Sequence, residues 1–443
     1  MSGDQGYSQQ QMFEMLTESQ YWSRAQMQEY QRSQLEQMLR HAKANVPFYK
    51  TRLDCMFRRD GSINWDRWEE IPILTKEELR DNFEALQATE IPASHGQVHV
   101  TTTSGTASFP ISVLHSELEG DIWQCLRWRA QTWWQLDWSS NLMYWNTPGR
   151  DDDVTAGATA YGPWAPPWAI GNGKAGQEYY MPRNLPLARR LTALKELDID
   201  ILHGRVHLAF VAALAMEVDK TLPRVSLKSI LGYGSAVESQ YEDICRTQFG
   251  AQIHSSFATT ECGRIAYSCQ DNNTYHISEE CVFCEIVNPA GMAVSGSSYG
   301  NLIITPFLCS AMPLIRYAQG DLGKWKDNCS CGLTLRSLAK VNGRIAHMFD
   351  LPDGKILAAN VPEWMRTTLN ILSWQFAQVG KDLVEVRYMR RTPLSEREEE
   401  WLAGGLDSYF SQVFAFTFVV VTELREEKSG KFIQYVNEYR PKV

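Results

Sequence analysis

The chain has 443 residues, of which 44% are hydrophobic and 21% are charged. This length predicts about three domain-sized units, or one large core with a small second domain, and the apolar fraction excludes a disordered chain. The 52 acidic residues outnumber the 43 basic ones, and the net charge of −9 argues against general binding to nucleic acid or to anionic membranes.

No targeting or membrane segment stands out in the sequence. The N-terminus lacks the basic-then-apolar pattern of a secretory signal. The longest apolar stretch, 201–218, contains His203, Arg205 and His207, which argues against a membrane span. We therefore expect a cytoplasmic protein, in which the 10 cysteines are reduced thiols or metal ligands rather than disulfides.

The first part of the chain predicts a helix followed by an α/β core. Leu35, Met38, Leu39 and Ala42 recur at helical spacing, and Pro47 ends that pattern. Strand-like stretches follow at 98–103, 253–256, 281–287 and 301–307. Because they alternate with helix-like stretches, we predict an α/β fold in which loops at the strand ends hold the ligand.

The middle and the end of the chain have different compositions. Between 144 and 184, Gly, Pro, Trp, Tyr and Asp dominate without periodicity, which predicts a long functional loop, an insertion or a lid. Further on, 382–389 alternates like a strand, Ser395 and Glu398 form a capping box, and 414–422 reads as a second strand. We predict a large N-terminal α/β domain, residues 1–345, and a small mobile α+β domain, residues 346–443.

Four segments carry residues suited to nucleotide chemistry. Segment 101–106 (TTTSGT) offers hydroxyls and amides to a polyphosphate, although it lacks the Lys of a P-loop. Segment 257–261 (FATTE) combines an aromatic ring that can stack on a purine with a carboxylate that can hold magnesium. In 315–321 (IRYAQGD) a carboxylate follows a Gly turn, and Lys431 follows Gly430. Taken alone, each segment is better explained by an ordinary turn or a solvated side chain.

Together, in this order and at these separations, the segments resemble the adenylate-forming acyl-CoA ligase superfamily. The resemblance is strongest to the phenylacetate–CoA ligases and to the adenylating proteins of capsular-polysaccharide biosynthesis. It runs the length of the chain, since 41–49 (HAKANVPFY) and 71–76 (IPILTK) are similar to two more segments of that family. The resemblance implies ATP- and magnesium-dependent activation of a carboxylic acid to an acyl adenylate, followed by transfer to a thiol, that of coenzyme A in the first place.

The resemblance also implies a role for each matching residue. Lys431 bridges the acyl carboxylate and the α-phosphate, Thr260 contacts the α-phosphate, and Glu261 holds magnesium. Phe257 stacks on the adenine. The residues implied to bind ATP are Ser104, Gly105, Thr106, Gly234, Ser235, Ala236, Phe257, Ala258, Asp321 and Arg344.

This sequence departs from the family pattern in three places. Ala107, Ser108 and Phe109 replace the usual Thr-Gly-Lys of the phosphate loop. Phe257 and Ala258 replace the usual Tyr and Gly before the Thr-x-Glu. After Arg344, Ala346 and His347 replace a pair of acids, the first of which is the family's hinge position. The last change leaves open whether the second half-reaction, after domain rotation, takes place.

A further set of residues is suited to a metal. Cys329 and Cys331 form a Cys-x-Cys beyond Asp321, and Cys269 and His276 follow the Glu261 segment. Three thiolates and an imidazole suit tetrahedral zinc, and some phenylacetate–CoA-ligase-like proteins resemble this pattern. We predict a structural zinc site within segment 262–332.

Two alternatives to that ligand set stay open. Cys281 and Cys284 form a rival C-x-x-C, although a strand at 281–287 points their thiols to opposite faces. The cysteines can also be buried free thiols, because Cys packs as a small hydrophobe.

The substrate and the acceptor are less closely defined by the sequence. The aromatic stretch from Trp123 to Tyr180 is a candidate wall of the acyl pocket, and it favours an aromatic acid. An amine, a sugar or a carrier protein is an alternative acceptor, and a nucleotide-binding pseudoenzyme is an alternative to an enzyme. The sequence does not decide whether the protein is a homodimer.

Overall fold

The fold is taken from a computed structural model of the chain. The residues that it describes are 7–102, 110–145, 157–170, 175–182, 185–234, 237, 239–270, 274–294, 296, 298–327, 329–339, 349–350, 356–357, 369, 371, 373–390, 392–410, 413–422, 424 and 435–439.

The chain divides into two compact units. The first comprises Met1–Thr103, Ile111–Gln319 and Gly323–Val341. The second comprises Ser104–Pro110, Gly320–Leu322 and Asn342–Val443. The predicted boundary after residue 345 falls within 340–348, outside the described residues, and stays a prediction.

Ten α-helices are labelled here within the described part of the chain. They are α1 (Gln9–Ser19), α2 (Arg24–Asn45), α3 (Tyr49–Arg52), α4 (Lys76–Asp81), α5 (Glu117–Trp133), α6 (Pro167–Ile170), α7 (Leu187–Glu196), α8 (Val206–Val218), α9 (Ser239–Phe249) and α10 (Glu396–Tyr409). Short 3₁₀ helices span Asp54–Met56, Trp65–Glu70 and Ala93–His95. Among the described helices, none has the length and apolar character that crossing a membrane requires.

The described strands are numbered in chain order. Those of the first half are β1 (Val98–Thr102), β2 (Ser112–Ser116), β3 (Asn141–Trp145), β4 (Thr159–Pro163), β5 (Gln177–Met181), β6 (Ile199–Arg205), β7 (Ser229–Tyr233), β8 (Gln252–Thr259), β9 (Gly263–Ser268) and β10 (Thr274–Ile277). Those of the second half are β11 (Val282–Val287), β12 (Gly300–Pro306), β13 (Tyr317–Gly323), β14 (Trp325–Lys326), β15 (Ser337–Ala339), β16 (Phe349–Asp350), β17 (Ile356–Leu357), β18 (Ser373–Gln378), β19 (Leu383–Met389), β20 (Ala415–Val420) and β21 (Tyr435–Asn437).

The N-terminal helices form because each begins with a side-chain cap and buries one face. Ser8 caps α1 and Ser23 caps α2, each in a reciprocal box with a Gln three residues later. The predicted helical stripe of Leu35, Met38 and Leu39 is buried in α2, which ends at Asn45, two residues before Pro47. This element confirms the sequence prediction.

A ten-stranded sheet dominates the first unit, in the order β14-β15-β10-β9-β8-β7-β6-β3-β5-β4. Its centre is parallel, because β5, β3, β6, β7 and β8 pair in that sense. The strands on either side pair antiparallel. The carboxyl ends of the parallel strands therefore meet along one edge, which is where α/β sheets hold ligands.

Apolar side chains form two buried cores in this unit. One core packs α7, α8 and α9 against the sheet, through residues such as Leu191, Phe210 and Ile244. The other packs α1, α2 and α5, with Leu16, Leu39 and Leu126 among its fully buried members. The central sheet thus has helices in layers, as predicted for an α/β fold.

A buried ion pair ties the N-terminal helix to this second core. Nη1 of Arg129, on α5, lies 2.6 Å from the Glu280 carboxylate, and neither side chain is appreciably exposed. The Ser19 hydroxyl donates to the same carboxylate, and Arg129 donates to the Leu16 carbonyl. Breaking such a pair leaves a buried charge unpaired, which costs about 3–5 kcal/mol.

The two smaller sheets of this part of the chain are β1-β2 and β11-β12-β13, and residues 320–322 of β13 belong to the second unit. The strands predicted at 98–103, 281–287 and 301–307 correspond to β1, β11 and β12, which confirms them. The range 144–184 was predicted to be a long loop, an insertion or a lid. The loop is wrong, because β4, α6 and β5 lie in the described part of that range, whereas the insertion and the lid stay predictions. Both strands have five residues, too few to show a clear alternation, and β4 also contains Gly162 and Pro163.

The second unit has a four-stranded sheet in the order β20-β19-β18-β21. Helix α10 starts at the predicted capping box of Ser395 and Glu398, and β19 and β20 lie where strands were predicted. Leu402 and Leu406 of the helix are buried with Phe376 and Val386 of the sheet. This part of the unit is an α+β structure, as expected from the sequence.

Candidate functional site

Two predicted nucleotide-binding segments lie side by side at the carboxyl edge of the parallel strands. Gly232 of β7 pairs with Ser255 of β8, so Gly234 and Phe257 each follow two residues further along neighbouring strands. Gly234 has a positive φ of 84°, a conformation that suits glycine. Phe257 is partly buried against the core, and a register shift between it and Ala258 bends the strand.

The turn between β8 and β9 carries Thr260 and Glu261, and three contacts hold it in place. The amide of Cys262 donates to the Thr259 hydroxyl oxygen at 3.0 Å. Gly263, with a φ of 68°, lies so close to Trp123 that a Cβ would stand 2.1 Å from the indole ring. A side chain at this position would therefore displace the indole ring and strain the backbone, so the turn is closely packed against α5.

The Glu261 carboxylate is buried, with 6% of the residue exposed. Its Oε1 accepts a hydrogen bond of 3.0 Å from the hydroxyl of Tyr317. Among the described residues Tyr317 is its one hydrogen-bond donor, which leaves acceptor capacity for a cation. Carboxylate oxygen is the ligand that magnesium prefers, so Glu261 fits its predicted role chemically.

His115 lies behind this turn and is almost fully buried. Its Nε2 is 2.7 Å from the Thr260 carbonyl oxygen, and its Nδ1 is 3.0 Å from the Glu119 carboxylate. Burial opposes protonation of the ring, but the hydrogen bond and charge of Glu119, with smaller effects of Thr260 and Glu261, raise the pKa of His115. The hydrogen bond between His115 and the Thr260 carbonyl is the third contact that holds the turn in place.

Aromatic rings line the same region of the parallel sheet. Tyr144 of β3 stacks on Tyr180 of β5 at a centroid distance of 4.8 Å, and His203 of β6 lies edge-on to it at 4.4 Å. Arg127 of α5 donates to the Tyr144 hydroxyl. Burial, followed by the charges of Arg127 and Arg264, holds the pKa of His203 well below its usual range. Tyr144, Tyr180 and His203 thus form an aromatic wall in which His203 is neutral, and Arg127 and Arg264 are the cations near it.

The predicted zinc ligands come together in the structure. The ligand atoms of Cys269, His276, Cys329 and Cys331 all lie within 4.8 Å of one another, and among the described residues this is the one cluster that could hold a metal ion. Sγ of Cys269 is 3.4 Å from Sγ of Cys329, and Sγ of Cys331 is 3.2 Å from Nε2 of His276. Tetrahedral zinc with Zn–S bonds near 2.3 Å separates its sulfurs by about 3.8 Å, so the donor set fits that metal.

The surroundings of His276 support this geometry. Its Nδ1 lies 3.4 Å from the Leu335 carbonyl oxygen, a contact that orients the ring and turns Nε2 toward the thiols. Burial, together with the neighbouring thiols, raises the pKa of Cys269 to about 12. The rival cysteines, Cys281 and Cys284, are buried outside the cluster, and burial raises the pKa of each thiol.

Most of the other predicted site residues lie outside the described part of the chain. Asp321 lies on β13 with 8% of the residue exposed. Several predictions concern residues outside the described ones, namely Ser104, Gly105, Thr106, Ser235, Ala236, Arg344 and Lys431. The departures at 107–109 and 346–347 also lie outside them.

Sequence reasoning did not find three residues that contact the predicted site. Tyr317 stood in a quoted segment without a role. Ser116 and Glu119 form a capping box at the start of α5, and this signal could have pointed to the neighbouring His115. No sequence pattern marks Arg127.

No family model matches the sequence, and no curated protein matches it. Solved structures are similar to it, however. One is a 2-hydroxyisobutyryl-CoA ligase in the postadenylation state in complex with 2-HIB-AMP, with a TM-score of 0.67 and 16% sequence identity, over 92% of this chain and 88% of that one.

Two further structures are similar over a smaller part. An anthranilate CoA ligase, AuaEII, in complex with anthranoyl-AMP has a TM-score of 0.54 and 13% identity, over 76% of this chain and 64% of that one. The amide bond synthetase McbA from Marinactinospora thermotolerans has a TM-score of 0.51 and 12% identity, over 75% of this chain and 66% of that one. The chain therefore has the fold of the adenylate-forming ligases, with N-terminal helices and a small C-terminal domain.

Proposed function

We propose that this protein uses ATP to activate a carboxylic acid as an acyl adenylate and then transfers the acyl group to a thiol, that of coenzyme A in the first place. The observation that carries the proposal is the buried carboxylate of Glu261 on a closely packed turn at the carboxyl edge of the parallel sheet. The proposal is supported by a fold shared with ligases solved with acyl adenylates.

In the first half-reaction the carboxylate oxygen of the acid attacks the α-phosphorus of ATP, and pyrophosphate leaves. Glu261 would hold the magnesium ion that neutralises the phosphates. Phe257 and Gly234 would receive the adenine between neighbouring strands, and Thr260 would contact the α-phosphate. Lys431 would stabilise the negative charge that develops between carboxylate and phosphate.

The acid would bind against the aromatic wall formed by Tyr144, Tyr180 and His203. The stacked tyrosines offer an apolar face, and Arg127 fixes the Tyr144 ring through its hydroxyl. This geometry supports an aromatic acid, because aromatic pairs gain about 0.5–1.5 kcal/mol beyond their buried area.

A structural zinc ion held by Cys269, His276, Cys329 and Cys331 belongs to the same proposal. These residues join the end of β9, the strand β10 and the segment before β15. A metal here would tie the antiparallel side of the large sheet together, and it would take no part in the chemistry.

The test is acid-dependent exchange of pyrophosphate into ATP across a panel of aromatic and aliphatic acids. We expect exchange with at least one acid, and little of it in a Glu261→Gln variant. Coenzyme A added with the active acid is expected to give a thioester and AMP.

Two results of that test would replace parts of the proposal. Exchange without thioester formation would favour an amine, a sugar or a carrier protein as the acceptor, as the substitution at Ala346 already suggests. ATP binding without exchange for any acid would favour a nucleotide-binding pseudoenzyme.

A further inference from the structure

His115 is an almost fully buried histidine that no predicted motif of the sequence includes. Its imidazole lies between two acceptors, the Glu119 carboxylate at 3.0 Å and the Thr260 carbonyl oxygen at 2.7 Å. The ring also packs edge-on against Trp123, at a centroid distance of 4.9 Å. His115 therefore joins the start of α5 to the turn that carries Glu261.

The hydrogen-bond partners define the protonation state of this ring. The Thr260 carbonyl can only accept. Oε2 of Glu119 accepts from the amide and the hydroxyl of Ser116, at 2.8 Å and 3.1 Å, in the capping box that starts α5. Because both ring nitrogens face acceptors, both carry a proton, and His115 is an imidazolium ion.

A charged donor holds the Thr260 carbonyl more strongly than a neutral one. Hydrogen bonds with a charged donor are shorter than those between neutral groups and roughly twice as strong. Thr260 directly precedes Glu261, and the rest of the turn is held by Thr259 and by the contact of Gly263 with Trp123. The hydrogen bond to this carbonyl therefore holds the backbone from which the Glu261 side chain projects.

We propose that His115 is a positioning residue, which acts through the Thr260 carbonyl to present Glu261 to the magnesium ion of ATP. This inference rests on the proposed function. His115 acts through the Thr260 carbonyl oxygen, so we expect its effect on the binding of magnesium–ATP.

Two isosteric substitutions separate the two hydrogen bonds. The amide nitrogen of Gln can take the place of Nε2, so His115→Gln keeps a donor to Thr260. The amide nitrogen of Asn can take the place of Nδ1, so His115→Asn keeps a donor to Glu119 and leaves the Thr260 carbonyl without one. His115→Met fills the same space without a donor and is a second variant for the case that the Asn protein does not fold.

The measurement is calorimetric binding of ATP with and without magnesium to the full-length protein. We expect His115→Asn and His115→Met to weaken binding of magnesium–ATP by about tenfold or more, and His115→Gln by less than about threefold. Without magnesium, all variants are expected to bind ATP as the wild type does. His254→Asn, which removes another buried histidine that stacks on Trp134, is the matched control.

Equal affinities of the Asn and Gln variants for magnesium–ATP would overturn the positioning role, even if both melt at lower temperature, since that result describes a merely structural histidine. Failure of the wild type to bind magnesium–ATP would overturn it together with the proposed function. Binding with the expected difference, but without exchange for any acid, would overturn the proposed activity and leave the role of His115 supported.

Discussion

The Glu261 carboxylate has one protein donor among the described residues, the hydroxyl of Tyr317, and it is nonetheless buried. A buried carboxylate with a single hydrogen-bond donor is unfavourable in the absence of a bound cation. The proposed chemistry thus needs the negative charge of Glu261 rather than the shape of its side chain.

Glu261→Gln keeps the size of the side chain and removes its charge. We expect acid-dependent pyrophosphate exchange to fall by about 100-fold, because a neutral amide is a poor magnesium ligand. The melting temperature is expected to stay within a few degrees. Glu217→Gln, which neutralises an exposed carboxylate on α8, is the matched control and should leave exchange unchanged. Equal exchange in the two variants would contradict the role of Glu261.

For single residues, the sequence pointed to those in local motifs but not to the distant residues that contact them. Glu261, Phe257 and the four Cys and His ligands lie in short segments that can be recognised by eye. His115 and Tyr317 contact that turn from positions 145 and 56 residues away, and such contacts leave no periodic trace in one sequence.

Among the elements, the cluster of candidate metal ligands joins strands that are far apart in the chain. Cys269 follows β9, His276 lies in β10, and Cys329 and Cys331 precede β15. A metal that binds the native state stabilises it in proportion to the logarithm of its concentration over its dissociation constant.

We expect the purified protein to contain one zinc ion per chain, and Cys329→Ser to lose it. Loss of the ion is expected to lower the melting temperature by roughly 5–10 °C, since a tightly bound ligand contributes about 4 kcal/mol. Cys55→Ser, at a similarly half-buried thiol outside the cluster, is expected to change neither quantity. Metal analysis and thermal unfolding measure both effects, and a zinc content near zero in the wild type would exclude the site.

The strand β8 carries a histidine that makes stability depend on pH. Burial lowers the pKa of His254 to about 4. In the unfolded chain this histidine is protonated below about pH 6.5, whereas in the folded chain it stays neutral down to about pH 4. The contribution of the neutral His254 to the free energy of unfolding is therefore fully present above pH 6.5. It is lost as the pH falls from 6.5 toward 4.

His254→Phe keeps a ring against Trp134 and removes this titration. Between pH 7 and pH 5 we expect the stability of the wild type to fall by about 2 kcal/mol more than that of the variant. Melting temperatures at the two pH values measure the difference, while between pH 7 and pH 8 the two proteins should respond alike. Parallel losses down to pH 5 would show that His254 is not the group responsible.

Elements with strong local signals were predicted well. Helix α10 was found from its capping box, and β11, β12 and β19 from their apolar patterns. β4 and β5 were missed, because they are five residues long and lie at the end of the large sheet, where pairing with a neighbour rather than a sequence pattern defines a strand.

The whole molecule consists of a large unit built on the ten-stranded sheet and a small unit with its own core. The α/β class was predicted from the alternation of strand-like and helix-like stretches. The resemblance to the adenylate-forming ligases was predicted from several motifs taken together. The fold shared with the solved ligases confirms the α/β class. The domain boundary and the roles of Arg344 and Lys431 remain predictions from the sequence.

Lys431→Ala tests the predicted contribution of the C-terminal unit. We expect pyrophosphate exchange with the active acid to fall by about 100-fold or more, because the lysine is needed where charge develops in adenylation. ATP binding is expected to change by less than about threefold. Lys381→Ala, in the same unit, is the matched control, and undiminished exchange in Lys431→Ala would show that this lysine is not catalytic.

The ion pair between Arg129 and Glu280 has a consequence for synthesis of the protein in the cell. Helix α1 and Arg129 leave the ribosome long before Glu280 does, and at typical elongation rates the interval is on the order of ten seconds. During that time Arg129 has no carboxylate to meet at its native position, and Leu16 and Ser19 have no complete surface to cover. The N-terminal helix is therefore made first and docks late, so nascent chains that end before residue 280 are expected to need chaperones.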